Sequence, residues 1–202
     1  MLNKGIIIAI ALASMAAGYF VAQSSQPDTP AIDDSVIFVY PQTRKLAEVS
    51  LTDMHGQSIT PADFKDDWWV LYFGFTFCPD ACPMALANMK QIKTRLPENA
   101  NIKFGLISVD PQRDTPDRLK EYVTFFHPEF YAATSDVDAI DALTASVNVV
   151  YAISGDQSKD DYSVDHSNFM VLLNPEGKHA GIISSPHDPE KIAAELTKLA
   201  AS

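Results

Sequence analysis

The sequence predicts an α/β layer fold: one mixed sheet flanked by helices, preceded by an uncharged segment long enough to cross a membrane. Three observations predict it. Residues 68–75 are a continuous aromatic and β-branched run, the pattern of a strand buried on both faces, and 102–109 reads as a second buried strand. Each is followed by apolar residues at helical spacing, which is the alternation of a layered α/β domain. The last two strand candidates, 169–173 and 179–183, are joined by a short turn, so that part of the sheet is antiparallel. The chain has 202 residues, 47% hydrophobic and 20% charged, which suits one domain with a short extension.

Residues 5–22, GIIIAIALASMAAGYFVA, carry no charge. As a helix they would span ~27 Å, enough for a bilayer core. Lys4 stands before the run and Asp28, Asp33 and Asp34 follow it, so positive charge stays inside and the remainder faces the far side. The alternative is a cleaved signal peptide, for which Ser14-Met15-Ala16 offers a small-x-small site. Both readings export the rest. Residues 1–22 are therefore expected to be an anchor or signal peptide, 23–36 a flexible tether and 37–202 the folded domain.

Along that domain, Leu46–Leu51 alternates weakly as a strand, and Asp53-Met54-His55-Gly56 supplies a turn. Residues 68–75, WWVLYFGF, form the central strand. It runs into Thr76-Phe77-Cys78-Pro79-Asp80-Ala81-Cys82-Pro83, and Met84, Leu86, Met89, Ile92 and Leu96 then mark a helix with these residues in the core. Ile102–Val109 is a second buried strand. Thr115 as N-cap and Pro116 at the first helical position open a helix that ends at His127-Pro128. A short strand at 130–133 and a helix at 137–147 follow. Residues 149–153 lead into a polar loop, Ser154–Asp161. Strand 169–173, the turn Asn174–Gly177, strand 179–183 and a helix opened by Asp188-Pro189 complete the chain. This order, a central strand feeding a cysteine-bearing helix and a closing hairpin plus helix, is thioredoxin-like.

Fifteen Lys and Arg against 26 Asp and Glu give a formal charge of −11, so there is no cationic surplus for nucleic acid. Two cysteines cannot build a disulfide scaffold, but they suffice for one bridge, one redox pair or part of one metal site. Cys78 and Cys82 sit where the central strand delivers the chain to a helix start. At this spacing their Cα atoms lie ~6 Å apart on one face, and the unpaired amides of the helix start favour thiolate over thiol. Two thiolates select Cu(I), and a zinc site would have to recruit two histidines. His166, in a loop just before strand 169–173, is the one imidazole that a thioredoxin-like topology places beside the pair. Two thiolates and one imidazole would form a trigonal site that also accepts Cu(II). His55, His127, His179 and His187 read as solvated. Asp80 reads as helix-start charge, Asp110, Arg113 and Asp114 as an ion pair bracing a loop, and Met84 and Met170 as core residues.

At these residues the sequence resembles the Sco/SenC family of thioredoxin-like copper proteins. The matching stretches are Phe73–Pro83 (FGFTFCPDACP), Ile107–Pro116 (ISVDPQRDTP) and Asp161–Ser167 (DYSVDHS) with Leu172–Gly177 (LLNPEG). The resemblance implies a membrane-tethered metallochaperone that holds copper through Cys78, Cys82 and His166. It further implies an inner-membrane location with the domain in the periplasm, and a copper acceptor, subunit II of cytochrome c oxidase, whose binuclear copper centre the family helps assemble. A monomer is expected. The alternative is a thiol–disulfide reductase using Cys78 and Cys82 on exported cysteine pairs, and a thiol peroxidase is a third reading.

Overall fold

The structure is a computed structural model that describes residues 35–159 and 161–201. The uncharged segment 5–22 and most of the tether lie outside the described residues. Among the described residues no helix is long and apolar enough to cross a membrane.

The sheet is built outward from β4 (Trp68–Gly74), whose residues 69–74 are all buried. β4 runs parallel to β5 (Ile102–Ser108) on one side and antiparallel to β9 (Met170–Leu173) on the other. Beyond β5 lie β6 (Tyr131–Thr134), β2 (Leu51–Asp53) and β3 (Ser58–Ile59). Beyond β9 lie β10 (Lys178–Ile183) and the edge strand β1 (Ile37–Lys45). Eight strands thus form one mixed, thioredoxin-like sheet with the predicted central strand at its middle. The nine-residue β1 was not anticipated, because most of its residues are exposed and carry no apolar alternation. The strand expected at Leu46–Leu51 begins only at Leu51.

Among the described residues four α-helices flank the sheet: α1 (Ala81–Lys93), α2 (Pro116–Phe126), α3 (Val137–Ser146) and α4 (Pro189–Ala200). Three of their starts are capped by side chains. Thr115 Oγ1 accepts from the Arg118 amide, Asp136 from Ala139, and Asp188 from Glu190 and Lys191. α1 rests against α2 and α4 and buries Cys82, Ala85, Leu86, Met89 and Ile92. Met84 is on the opposite face and 61% exposed, which corrects its expected core position. It stands two residues before Leu86 and so about 160° around the helix from that buried side chain. Met170 is fully buried in β9, as expected.

The predicted polar loop at 154–161 is instead part of a two-stranded ribbon. β7 (Tyr151–Asp156) pairs antiparallel with β8 (Asp161–His166), and this ribbon forms no ladder with the main sheet. Its buried face carries Tyr162 and Val164, while Ser163 and Asp165 face water, so the period-two signal is short and mostly polar. Asp160 lies outside the described residues.

The histidines read as solvated do not all prove so. His55 is exposed, but His127 and His187 are half-buried and His179 is fully buried. His179 packs edge-on against Tyr40, with its Nε2 3.1 Å from the Gly181 carbonyl. The reason is β1: the unanticipated strand covers what would otherwise be an exposed edge of β10.

Candidate metal centre

Each donor of the predicted trio arrives on a different kind of element. β4 ends at Gly74, and the chain turns through Phe75, Thr76 and Phe77 to Cys78, which precedes α1. Cys82 is in the first turn of α1, buried against the strand end. Gly74 makes this possible, because a Cβ there would lie only 2.6 Å from Cys82 Sγ. His166 is the last residue of β8, and not in a loop as expected. The three ligand atoms of Cys78, Cys82 and His166 lie within 4.8 Å of one another, and Cys82 Sγ is 3.3 Å from His166 Nε2. Three donors about 2.2 Å from a common ion would stand about 3.8 Å apart, so the trio fits a trigonal soft cation with small adjustments.

The ring of His166 is oriented from several sides. Its Nδ1 lies 3.1 Å from the Ser167 carbonyl, which can only accept, so Nδ1 carries the proton and Nε2 presents its lone pair to the sulfurs. Tyr72 and Phe75 pack edge-on against the ring, at 5.6 and 5.9 Å between centroids. Burial holds the imidazole below its ordinary pKa, against the smaller opposing effects of the Ser167 carbonyl and Asp165. The ring is therefore neutral at neutral pH, the form a metal requires.

The sulfurs differ. Cys78 is half-buried and accepts from the Cys82 amide at 3.4 Å, so the helix start does point an N–H at it. Cys82 is completely buried. Burial pushes its thiol up, only partly offset by the Phe75 amide, and Cys78 and Asp114 add to the rise. The expected preference for thiolate is thus overturned at Cys82: one amide cannot outweigh desolvation. A metal must displace that proton. Asp80 occupies the N-cap position with no side-chain hydrogen bond to the helix, so its expected helix-start effect is confined to charge.

Behind the trio is a polar network. Asp114 accepts from the Thr76 amide at 3.0 Å, from Thr76 Oγ1 at 2.6 Å and from Ser108 Oγ at 2.6 Å. Burial pushes its carboxyl up despite these donors. Asp110 and Arg113 form the predicted ion pair, 2.6 Å apart and almost wholly buried, and Tyr162 donates to Asp110 at 2.5 Å. Arg113 also reaches the Tyr162 carbonyl at 3.2 Å and lies 3.5 Å above the Tyr162 ring. Thr76, Tyr162 and Gly74 escaped the sequence reading. The alternation of Tyr162, Val164 and His166 was the available signal for Tyr162. Nothing local marks Thr76 or Gly74, whose partners come from distant segments.

A cleft of about 430 Å³ opens over the donors, lined by Phe75, Phe77, Cys78 and Asp80 on one side and Tyr162 to His166 on the other. Cys78 and His166 face this cleft, whereas Cys82 lies beneath them.

Residues 40–201 match the sequence model of the SCO1/SenC family. The SCO2-like protein of Rickettsia felis is 34% identical over 191 residues, covering 92% of each chain. Protein SCO2, mitochondrial, of Saccharomyces cerevisiae is 36% identical over 144 residues, 70% of this chain and 48% of the relative. Among solved structures, Arabidopsis thaliana ScoI with copper bound has a TM-score of 0.70 at 33% identity, covering 76% of this chain and 96% of that one. Yeast Sco1 with copper bound has a TM-score of 0.73 at 28% identity, covering 79% and 90%. Sheet order, cysteine-bearing helix start and family match agree, and the chain belongs to the SCO1/SenC family.

Proposed function

We propose that this protein is a copper-binding metallochaperone, with Cys78, Cys82 and His166 as its ligands. The observation that carries the reading is the convergence of two sulfurs and one ring nitrogen, drawn from segments more than 80 residues apart, within 4.8 Å. Soft thiolates suit Cu(I), and the added imidazole extends the site to Cu(II). Copper-bound relatives of the same fold support the assignment.

Burial orders the hand-over. Cys78 and His166 border the cleft, so an acceptor's thiolate displaces one of them first, and Cys82 lets go last. The ion moves by ligand exchange and is never free. The pair must be reduced beforehand, because a closed bridge offers no thiolate. The acceptor we propose is subunit II of cytochrome c oxidase, as the resemblance implies, with residues 1–22 tethering the domain on the periplasmic side of the inner membrane.

Titration of the reduced protein with Cu(I) against a competing chelator tests the reading. One copper per chain is expected, lost on Cys78→Ala or Cys82→Ala. Stoichiometry well below one refutes it. The thiol–disulfide reductase reading is favoured by one observation, the half-exposed Cys78 sulfur facing the Cys82 amide. His166→Ala separates the two, since it cripples Cu(II) binding but leaves a reductase rate nearly unchanged.

A further inference from the structure

The cysteine loop and the histidine ribbon share no strand ladder, and besides the Phe75–His166 and Cys82–His166 contacts a third segment fastens both. The loop that follows β5, residues 109–115, is itself fastened to the strand end by the Val109 amide, which donates to the Gly74 carbonyl at 2.9 Å. From there it extends two arms. Asp114 takes the backbone amide and hydroxyl of Thr76, two residues before Cys78. Asp110 and Arg113 take the hydroxyl, carbonyl and ring face of Tyr162, four residues before His166 on the same face of β8. Gln112 adds a contact to the far end of the ribbon, donating to the Gln157 carbonyl at 3.0 Å.

We propose that this loop is the caliper of the metal site, with Asp110, Arg113 and Tyr162 as positioning residues for His166 and Asp114 with Thr76 as positioning residues for Cys78. The inference rests on the copper reading above and adds to it the device that fixes the sulfur-to-nitrogen span. It assigns separate consequences to the two arms. The Tyr162 arm governs whether the imidazole stays beside the sulfurs, and so acts on Cu(II), which needs the nitrogen donor, far more than on Cu(I), which two thiolates satisfy. The Thr76 arm governs a sulfur and acts on both oxidation states. His166 has other restraints, the rings of Tyr72 and Phe75 and the Ser167–Val150 bonds at the ribbon base, so losing the arm loosens the ring without detaching it.

The test is Tyr162→Phe, which keeps the ring beneath Arg113 and removes the hydroxyl's bond to Asp110. Cu(II) affinity is expected to fall about tenfold, the scale of one hydrogen bond to a charged group, with a changed thiolate-to-Cu(II) absorption band. Cu(I) affinity should stay within about twofold. Thr76→Val should weaken both ions about tenfold, and so should Arg113→Lys, because the guanidinium lies not only over Tyr162 but also 4.7 Å over the Phe77 ring beside Cys78. Equal loss for both ions in Tyr162→Phe, or no loss in either, overturns the proposal. The metal-free protein supplies an independent readout, the His166 ring signals in NMR. They should broaden or shift in Tyr162→Phe while the fold is retained, and unchanged signals overturn the proposal. Should the parent protein bind no copper, the metallochaperone reading fails and these ring signals alone decide the caliper.

Discussion

Gly74→Ala is the sharpest single test of how the site is built. The new methyl carbon would stand 2.6 Å from Cys82 Sγ and 3.2 Å from the Tyr72 ring. A comfortable carbon–sulfur contact is about 1 Å longer, so the sulfur or the start of α1 must move by about that much. Neither Cys82 nor Tyr72 has any exposed surface to relax into. Overpacking of this kind costs about 1–3 kcal/mol, partly offset by the ~0.5–1 kcal/mol gained when a strand glycine becomes alanine. A net loss of about 1–2 kcal/mol lowers the melting temperature by roughly 2–8 °C in a domain of this size. The functional effect should be larger. A 1 Å displacement of one of three donors should weaken Cu(I) at least about tenfold, read by chelator competition. Gly105→Ala is the control: its methyl would meet Leu71 Cδ2 at 3.1 Å and the Tyr131 carbonyl at 3.2 Å, far from the sulfurs. It should lower the melting temperature and leave copper affinity alone. If Gly74→Ala melts lower but binds Cu(I) as tightly as the parent, the buried sulfur is not where the argument needs it.

Three further outcomes are expected. Cu(I) affinity should rise about tenfold per pH unit from Cys82 alone, because burial keeps its thiol protonated and binding must release that proton; a pH-independent affinity in a competition titration contradicts this. Metal-free stability should fall with acidification. Burial holds His127, His166, His179 and His187 below the usual 6.5, so as pH drops through 6.5 the unfolded chain takes up protons first and gains on the folded one. Asp114, pushed up, acts in the opposite sense from 3.8 upward. Melting temperatures from about pH 7.5 to 5.5 should decline, less steeply in His179→Gln, and a flat profile refutes the assignment. Glu195→Ala should cost about 1–3 kcal/mol in chemical denaturation, since its carboxylate receives the Val36 and Ile37 amides, both at 3.0 Å, and the Ser35 hydroxyl at 2.8 Å; a loss under about 0.5 kcal/mol argues that water replaces these bonds at no cost.

The central sheet was legible because its signal is local. Residues 69–74 and 104–108 are buried on both faces, so runs of mostly apolar residues sufficed. The cap of α2 was legible for the same reason: Thr115 and Pro116 act on their own neighbours. The cysteine pair announced itself by spacing, and His166 followed from topology. What stayed hidden depends on partners far along the chain. β1 is mostly exposed and exists by pairing with β10, some 140 residues on, and its Tyr40 ring packs against the buried His179. The ribbon hid because only one of its faces is covered. Its Tyr162 hydroxyl has meaning only through Asp110, 52 residues away. The thiol of Cys82 was misjudged because sequence shows the helix start but not the depth of burial.

The ribbon's isolation from the main ladder has a consequence for how such a site changes. The sulfurs belong to the framework, since moving them means rebuilding the end of β4 and the first turn of α1. The nitrogen is delivered by a separate ribbon, β7 and β8, closed on its own six pairs of strand positions and fastened to the framework through Tyr162 and Val164. A replacement hairpin that kept the Tyr162 and Val164 contacts would exchange the third donor while leaving the ladder of the eight-stranded sheet unbroken. Preference among coinage and other soft cations can thus be rewritten in one short stretch of chain.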